Sequence, residues 1–388
     1  MSDVFEQQLT RQDLLRRGAA AGTILTLPGL LAACGGTSKK AGGAGTTAHK
    51  LAKTLRFSNW TLYIDKKGNR HPSLDQFQKR YGVHVQYSED INDNATYFGK
   101  IQGPLSRGQS IDRDIIVMTD NSRYPSLLIK KGWVEKLDKS AIPNMKNLQP
   151  TLQHPNWDPN RDYSLPWQSG LTGIAYNDRL TDPVLTVPDL LENPKLKGKV
   201  TLLEGIGDTM PLIMAANGDD PTKVTDASWD RAFKRVKKAV DSGQIRQFTG
   251  NDYSGPLAKG DLKACFAWSG DVVQLQADNK HLHWNLPTDG GGIWTDNMLI
   301  PKGGDVYTAS VYMNYYYQPK VAAEVEDYVN YICPVVGAKE VLLKGDPSIA
   351  KNTLIFPTKA MLDNAHNIDA AALNNEKYIT AWQNLISG

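Results

Sequence analysis

The segment GGIWTDNMLIP, from Gly291 to Pro301, joins a glycine turn to a run of apolar residues. It places Trp294 two positions before Asp296. We predict that Leu299–Pro301 begins a return of the chain from a second lobe to a first one. The Trp–Asp pair either packs in a core or binds a ligand, and the rest of the sequence helps to decide between these roles.

The length and composition of the chain bound its class. At 388 residues it is too long for one compact core and fits two domains. Charged residues make up 22% and the hydrophobic set 40%, which is typical of a soluble globular protein. The net charge of +3, without a dense Lys/Arg run, argues against a nucleic-acid partner. Nine tryptophans and sixteen tyrosines outnumber eight phenylalanines, which favours wet binding surfaces.

The N-terminal segment reads as a targeting signal. Arg16 and Arg17 precede an apolar stretch, Gly18–Leu31, of signal-peptide length. The following LAACG, ending at Gly35, resembles a bacterial lipobox. We therefore predict that residues 1–33 are removed and that Cys34 takes a diacylglycerol and becomes the new N-terminus. An uncleaved anchor is the alternative, and either one tethers the protein outside the membrane. Sec and twin-arginine export both remain open.

Residues 34–53 form a Gly/Ala/Thr/Lys-rich linker with little to bury. It would let a folded body stand away from the membrane. The two remaining cysteines, Cys265 and Cys333, lie in or beside apolar runs. A disulfide and two buried free thiols are both compatible with this pattern.

The folded body alternates strand and helix patterns, which predicts an α/β protein with parallel strands covered on both faces. The rhythm breaks at Tyr163–Asn177, where Pro166 and Gly170 interrupt an extended run, and we interpret this as a crossing between lobes. The first lobe is predicted to comprise 54–168 and 298–340, and the second 169–297 and 341–388. A ligand would lie in the cleft between them, at the carboxyl ends of the strands.

Sequence signatures of catalysis are absent. The chain has no Gly-x-Ser-x-Gly elbow, no Walker loop and no His-Glu-x-x-His motif. His281 and His283 lie two positions apart, but no third metal ligand is near, so a structural role is expected. We predict a binding protein without enzymatic activity, cofactor or metal.

Four short stretches place aromatic residues and acids at predicted strand ends: Asn59–Tyr63, Leu203–Asp208, Ala267–Gly270 and Trp294–Asp296. A buried carboxylate requires a cationic partner, and indole faces attract ammonium groups. The combination suits a long, flexible, amine-bearing cation. For single residues the competing explanations are core packing and, for Asp208, capping of the following helix.

Residues 54–388 resemble the spermidine/putrescine-binding proteins of bacterial polyamine ABC importers. The matching stretches are FSNWTLYI (57–64), DIIV (114–117), YSLPW (163–167), FAWSG (266–270), GGIWTDNMLIP (291–301) and YVNYICPV (328–335). The resemblance implies a two-lobed type II periplasmic-binding-protein fold that closes on its ligand and docks on membrane permeases. It further implies a monomer and a periplasmic or extracellular location.

The resemblance also assigns roles to individual residues. Trp60, Thr61 and Tyr63 correspond to the family's aromatic motif, and Trp268 to the tryptophan before its Ser-Gly turn. Trp294 is expected to stack on the ligand chain and Asp296 to bind a ligand ammonium. Asp208 corresponds to an acid that contacts the far amine, with Glu204 close to it in sequence.

Three departures from the family pattern put the ligand in question. Leu62 stands where polyamine binders often carry an acid, and Gly205–Gly207 interrupts an acid-rich stretch. Thr119–Ser122 lacks the usual aromatic residue, although Asp120 could supply a new carboxylate. A site with fewer acids would take a shorter amine or a ligand that is not a polyamine.

We therefore predict a lipid-anchored solute-binding protein that delivers a polyamine or related organic cation to an ABC importer. A same-fold protein for a sugar, opine or amino acid derivative is the second hypothesis. A carboxylate ligand would need an arginine in the cleft, for which Arg123 is the nearest candidate. A surface enzyme and a sensor lipoprotein without transport are the third and fourth hypotheses.

Overall fold

The computed structural model describes residues 49–91 and 93–388. The predicted signal segment and Cys34 lie outside these described residues. Within them, Ala52–Gly388 forms one compact unit. In the same part of the chain, no helix combines the length and the apolarity needed to cross a bilayer.

The described chain forms a mixed α/β structure. Its strands are β1 (Thr54–Trp60), β2 (His84–Ile91), β3 (Ile115–Thr119), β4 (Ser164–Asn177), β5 (Val200–Leu203), β6 (Ile245–Thr249), β7 (Ala264–Trp268), β8 (Leu282–Asn285), β9 (Gly291–Leu299) and β10 (Ala365–His366). Its first helices are α1 (Pro72–Tyr81), α2 (Asn94–Ser106), α3 (Tyr124–Lys130), α4 (Val187–Glu192), α5 (Ile206–Ala216), α6 (Asp226–Asp241), α7 (Ser254–Lys259) and α8 (Ser269–Asp278). They are followed by α9 (Val306–Tyr316), α10 (Pro319–Val329), α11 (Ala338–Gly345), α12 (Pro347–Lys351), α13 (Lys359–Asp363), α14 (Ala370–Leu373) and α15 (Glu376–Ser387).

Two long strands hold the sheet together. The strand order is β2-β1-β3-β9-β4-β7-β5-β6, with β10 beside β9 and β8 beside β4. The strands β1, β2 and β3 pair in parallel, as do β5, β6 and β7. Between these two groups, β9 and β4 run antiparallel to each other and to their outer neighbours β3 and β7. Strand β9 therefore lies at the centre of the sheet, where it reaches both halves of the body.

Local sequence explains several helix boundaries. α1 begins at Pro72, and Gly82 ends it with a φ of 67°, a left-handed conformation that glycine adopts without strain. α6 begins with a capping box in which Thr225 and Ser228 satisfy each other's backbone amides. The sequence pattern of Ser73–Tyr81 predicts a helix capped by Ser73, but this is wrong: His71 stands at the N-cap, and the Ser73 hydroxyl donates to Asp65.

The body is stabilised by buried aromatic and aliphatic side chains on the two halves of the sheet. In the first half, Phe57 packs edge-on against Trp167 and Tyr312, with ring centroids 5.6 and 5.3 Å away. In the second half, Trp229 stacks on Tyr378 at 4.2 Å within a large aliphatic cluster. Such burial is the main source of folding free energy and fixes the positions of the strand ends.

The predicted alternation of strands and helices is confirmed, but a fully parallel sheet is not observed. The extended run around Pro166 is one continuous strand, β4, whose register with β9 shifts between Pro166 and Gln168. Because proline cannot donate to a neighbouring strand, this irregularity accommodates it. Cys265 and Cys333 are both buried free thiols, so a disulfide between them is excluded.

Candidate ligand-binding site

Asp296 is a buried carboxylate at the centre of β9, with 4% of its surface exposed. Its Oδ2 accepts a hydrogen bond of 2.6 Å from the Tyr63 hydroxyl, and its Oδ1 accepts one of 2.6 Å from the Thr119 hydroxyl. Burial raises the pKa of Asp296 to about 7, although both hydroxyl donors lower it. The neighbouring carboxylates of Asp120 and Asp208 raise that pKa further. The groups bonded to Asp296 therefore supply no positive charge that would compensate its ionised form.

Trp294 lies flat against β4 because a glycine faces it. A Cβ atom built on Gly170 would lie 2.3 Å from the indole ring, so no larger residue fits there. The indole Nε1 donates to the hydroxyl of Thr172 at 3.2 Å. The Trp294 ring lies 5.6 Å from that of Tyr331 and 6.3 Å from that of Trp268, measured between centroids. These three rings and Asp296 form the aromatic cluster of the site.

Asp208 is a second buried carboxylate, in the first turn of α5. The N-cap of α5 is Gly205, so the interpretation of Asp208 as a helix cap is wrong. Its Oδ1 accepts hydrogen bonds from Trp268 Nε1 at 2.9 Å and from Thr172 Oγ1 at 3.2 Å. Burial raises its pKa to about 6, against the effect of the donors. Thr172 thus joins Asp208 to the indole of Trp294, which lies two positions before Asp296 on β9.

Tyr331 and Asp271 complete the cluster, and both were absent from the predicted site. The Asp271 carboxylate accepts hydrogen bonds from the hydroxyls of Tyr331 at 2.8 Å and Tyr253 at 3.0 Å. The Tyr253 hydroxyl oxygen in turn accepts a hydrogen bond of 3.0 Å from the backbone amide of Trp268. Tyr331 lies in the late segment YVNYICPV, and Asp271 directly follows FAWSG. Extending the predicted aromatic–acid stretch Ala267–Gly270 by one residue would have included Asp271.

The NWTLY motif reaches the cluster mainly through Tyr63, whose ring contacts that of Tyr331 at 5.4 Å between centroids. Trp60 is half-buried against the apolar residues around α2 and β3. Its indole Nε1 is buried without a hydrogen-bond partner in the described chain. Thr61 is exposed. Roles for Trp60 and Thr61 in ligand binding therefore stay predictions.

Two predicted carboxylates, Asp120 and Glu204, make no hydrogen bond to the aromatic side chains of the cluster. Asp120 is half-buried. Its Oδ1 accepts hydrogen bonds from the backbone amide of Thr295 at 2.8 Å and from Nδ2 of Asn367 at 3.2 Å. It borders a separate crevice with Trp157, and burial raises its pKa to about 6. Glu204 is exposed, and partial desolvation raises its pKa. Neither side chain is bonded to the aromatic residues of the site.

The residues of the site suit an organic cation better than a metal. Buried carboxylates bind an ammonium through charge-assisted hydrogen bonds, and the indole and phenol faces attract its charge. Within the described ranges, no group of three or more His, Cys, Asp or Glu side chains could hold a metal ion. The rings of His281 and His283 both bond the Asp178 carboxylate, at 2.8 and 2.6 Å, which supports their structural role.

Comparison with known proteins identifies the relatives of the chain. The sequence profile described as "Bacterial extracellular solute-binding protein" matches residues 73–357. The spermidine/putrescine-binding periplasmic protein of Escherichia coli K12 is 26% identical over 341 residues, covering 86% of this chain and 92% of that protein. The putrescine-binding periplasmic protein of the same organism is 28% identical over 304 residues, covering 72% and 77% respectively.

Solved structures agree with the sequence comparison. A Listeria monocytogenes protein assigned as a spermidine/putrescine ABC transporter superimposes with a TM-score of 0.73 and 25% identity, covering 87% of this chain and 98% of that one. The predicted type II periplasmic-binding-protein fold and the resemblance to polyamine-binding proteins are therefore confirmed.

Proposed function

The chain belongs to the family of bacterial extracellular solute-binding proteins, and from this premise we propose that it captures a polyamine or related organic cation and delivers it to an ABC importer. The relatives named for spermidine and putrescine support the class of ligand. Since one fold serves many ligands, the residues of the site must carry the rest of the argument. The same premise supports binding without catalysis and a location outside the cytoplasm.

The observation that carries the proposal is the environment of Asp296. Its carboxylate is buried and receives one neutral hydroxyl on each oxygen, from Tyr63 and Thr119, and Trp294 lies two positions before it on β9. An ionised carboxylate in such a place is costly unless a cation pairs with it. A ligand ammonium at Asp296 would supply that charge, with its methylene chain against Trp294 and Tyr331. Each cation–π contact adds about 0.5–2 kcal/mol.

We further propose that the two halves of the body close around the ligand. The first lobe would comprise 54–168 and 298–340, and the second 169–297 and 341–388. Tyr63 and Thr119 belong to the first of these lobes and Trp268 to the second, while Asp296 lies on a strand between β3 and β4. A site assembled from both lobes forms fully upon closure, which is how hinged binding proteins retain their ligands.

The anchor and the transport partner complete the proposal. The lipobox at Leu31–Gly35 supports lipidation of Cys34, with the linker 34–53 holding a monomeric body at the outer face of the cytoplasmic membrane. There it would meet the permease subunits of its importer. The assignment of the Listeria monocytogenes structure to an ABC transporter supports this partner.

Isothermal titration calorimetry of the purified body with putrescine and spermidine tests the proposal. Saturable heat at 1:1 stoichiometry is expected for at least one amine, with none for glucose or glutamate at the same concentration. Heat with glucose or glutamate in place of the amines would favour a same-fold protein for another solute.

A further inference from the structure

Asn121 reaches into the site and bonds one of its two main carboxylates. Its Nδ2 donates to Asp208 Oδ1 at 3.0 Å, and the two side chains are 6% and 9% exposed. Asn121 belongs to the turn Asp120–Arg123 between β3 and α3, whereas Asp208 lies in the first turn of α5 on the other half of the sheet. The neutral side-chain amide of Asn121 thus donates to a carboxylate oxygen that could otherwise accept a hydrogen bond from a ligand ammonium.

Close backbone packing keeps this amide in place. A Cβ atom built on Gly207 would lie 1.9 Å from the carbonyl oxygen of Asn121, so the turn rests directly on the first turn of α5. The same turn makes two side-chain interactions with the C-terminal segment. Asn367 donates to Asp120 at 3.2 Å, and Arg123 pairs with Glu376 at 2.8 Å.

The hydrogen bonds leave the two carboxylates unequally available. Asp208 Oδ1 already accepts three donors, from Asn121, Thr172 and Trp268, although a carboxylate oxygen offers about two lone-pair sites. Its Oδ2 lies against the backbone of Gly205, 2.4 Å from where a Cβ atom would stand, and accepts no hydrogen bond from the described chain. Each oxygen of Asp296 accepts a single hydroxyl. Both oxygens of Asp296 therefore have acceptor capacity for an ammonium, whereas the protein already fills Oδ1 of Asp208.

We propose that Asn121 takes the position of a second ligand ammonium at Asp208, so that the site binds an organic cation through one ammonium group at Asp296. Asn121 is then a specificity-determining residue, because it removes the higher affinity that a diamine or triamine would otherwise have over a monoamine. This inference rests on the proposed function, since it concerns the same amine site. It agrees with the absence of an acid at Leu62 and at Gly205–Gly207.

Calorimetric titration of n-butylamine and putrescine tests the inference, because these probes share four carbons and differ by one ammonium. In the unaltered protein the two dissociation constants are expected within about threefold of each other. In Asn121→Ala, putrescine is expected to bind about 10- to 100-fold more tightly than n-butylamine, because its second ammonium takes the place of the lost amide beside Asp208. Asn147→Ala is the control, since it loses a comparable amide bond, of 3.0 Å to the Tyr317 carbonyl.

The outcomes separate the inference from the proposed function. A preference for putrescine of about 100-fold in the unaltered protein would overturn the inference, and this measurement does not depend on any variant folding. An unchanged ratio in a folded Asn121→Ala would overturn it as well. In both cases amines still bind and the proposed function stands. If neither amine nor spermidine binds any of the proteins, the proposed function falls and the inference falls with it.

Discussion

The hydroxyl of Tyr63 donates a 2.6 Å hydrogen bond to Oδ2 of Asp296, across 233 positions of the sequence. It joins the turn after the first strand to the centre of β9, where the chain passes between the two halves of the sheet. The bond holds the carboxylate beside the rings of the site while leaving it acceptor capacity. The predictions below follow from this arrangement and its supports.

Ligand affinity should depend on pH through Asp296. Its pKa in the folded protein is about 7, against an ordinary value of 3.8, so below about pH 7 an ammonium must displace a proton. We expect affinity to fall about tenfold per pH unit below that value and to level off above it. Calorimetry across the pH range measures this. Affinity that is constant between about pH 5.5 and pH 8 would contradict an ionised Asp296 as the binding group.

The stability of the ligand-free protein should change in the opposite sense. Between pH 3.8 and about 7 the folded state keeps a proton on Asp296 that the unfolded chain releases, so the free energy of unfolding falls as pH rises through this window. The raised pKa values of Asp120 and Asp208 act in the same direction. The rise in Tm caused by a cationic ligand should therefore be larger at about pH 8 than at about pH 5.5. The reverse order in thermal unfolding would contradict this account.

Gly170→Ala should displace Trp294. The added methyl group would lie 2.3 Å from the indole ring, so we expect a loss of about 1–3 kcal/mol in the free energy of unfolding, together with weaker ligand binding. Gly99→Ala in α2 is the matched control, since its Cβ meets nothing within 4 Å. It should stabilise the protein by about 0.5–1 kcal/mol, as alanine does in a helix. Equal effects of both changes in urea unfolding would refute the packing argument.

Asp271→Asn should destabilise the body, because the buried carboxylate accepts hydrogen bonds from Tyr331, Tyr253 and Asn251. We expect a loss of about 1–3 kcal/mol in the free energy of unfolding. Asp241→Asn, which removes an exposed ion pair with Lys237, should cost less than about 0.5 kcal/mol. Urea unfolding compares the two, and a similar cost for both would argue against a supporting role of Asp271.

Cys34→Ala should abolish lipidation and leave residues 1–33 uncleaved. The lipobox predicts a thioether-linked lipid on Cys34 and cleavage before it, and both depend on this cysteine. Cys265→Ala removes a buried thiol and should leave lipidation and cleavage unchanged. Mass spectrometry of the N-terminal peptide provides the measurement. An unaltered protein that keeps residues 1–33 and carries no lipid on Cys34 would favour the uncleaved anchor.

The sequence predicts most of this fold and part of the site, for reasons that individual residues illustrate. Alternating strand and helix patterns indicate the α/β class, and aromatic–acid motifs point to Trp294 and Asp296. The antiparallel position of β9 beside β3 and β4 depends on pairing between distant segments, which a local pattern does not contain. For the same reason Thr119, 177 positions away, was not predicted as a partner of Asp296.

The central claim is that Asp296 binds the ammonium group of the ligand, and calorimetry of Asp296→Asn tests it most directly. Asp261→Asn, at an exposed position, is the matched control. With the amine that binds the unaltered protein best, Asp296→Asn should lose about 2–5 kcal/mol of binding free energy at about pH 8, while Asp261→Asn should lose none. Unaltered affinity of a folded Asp296→Asn protein would contradict the claim.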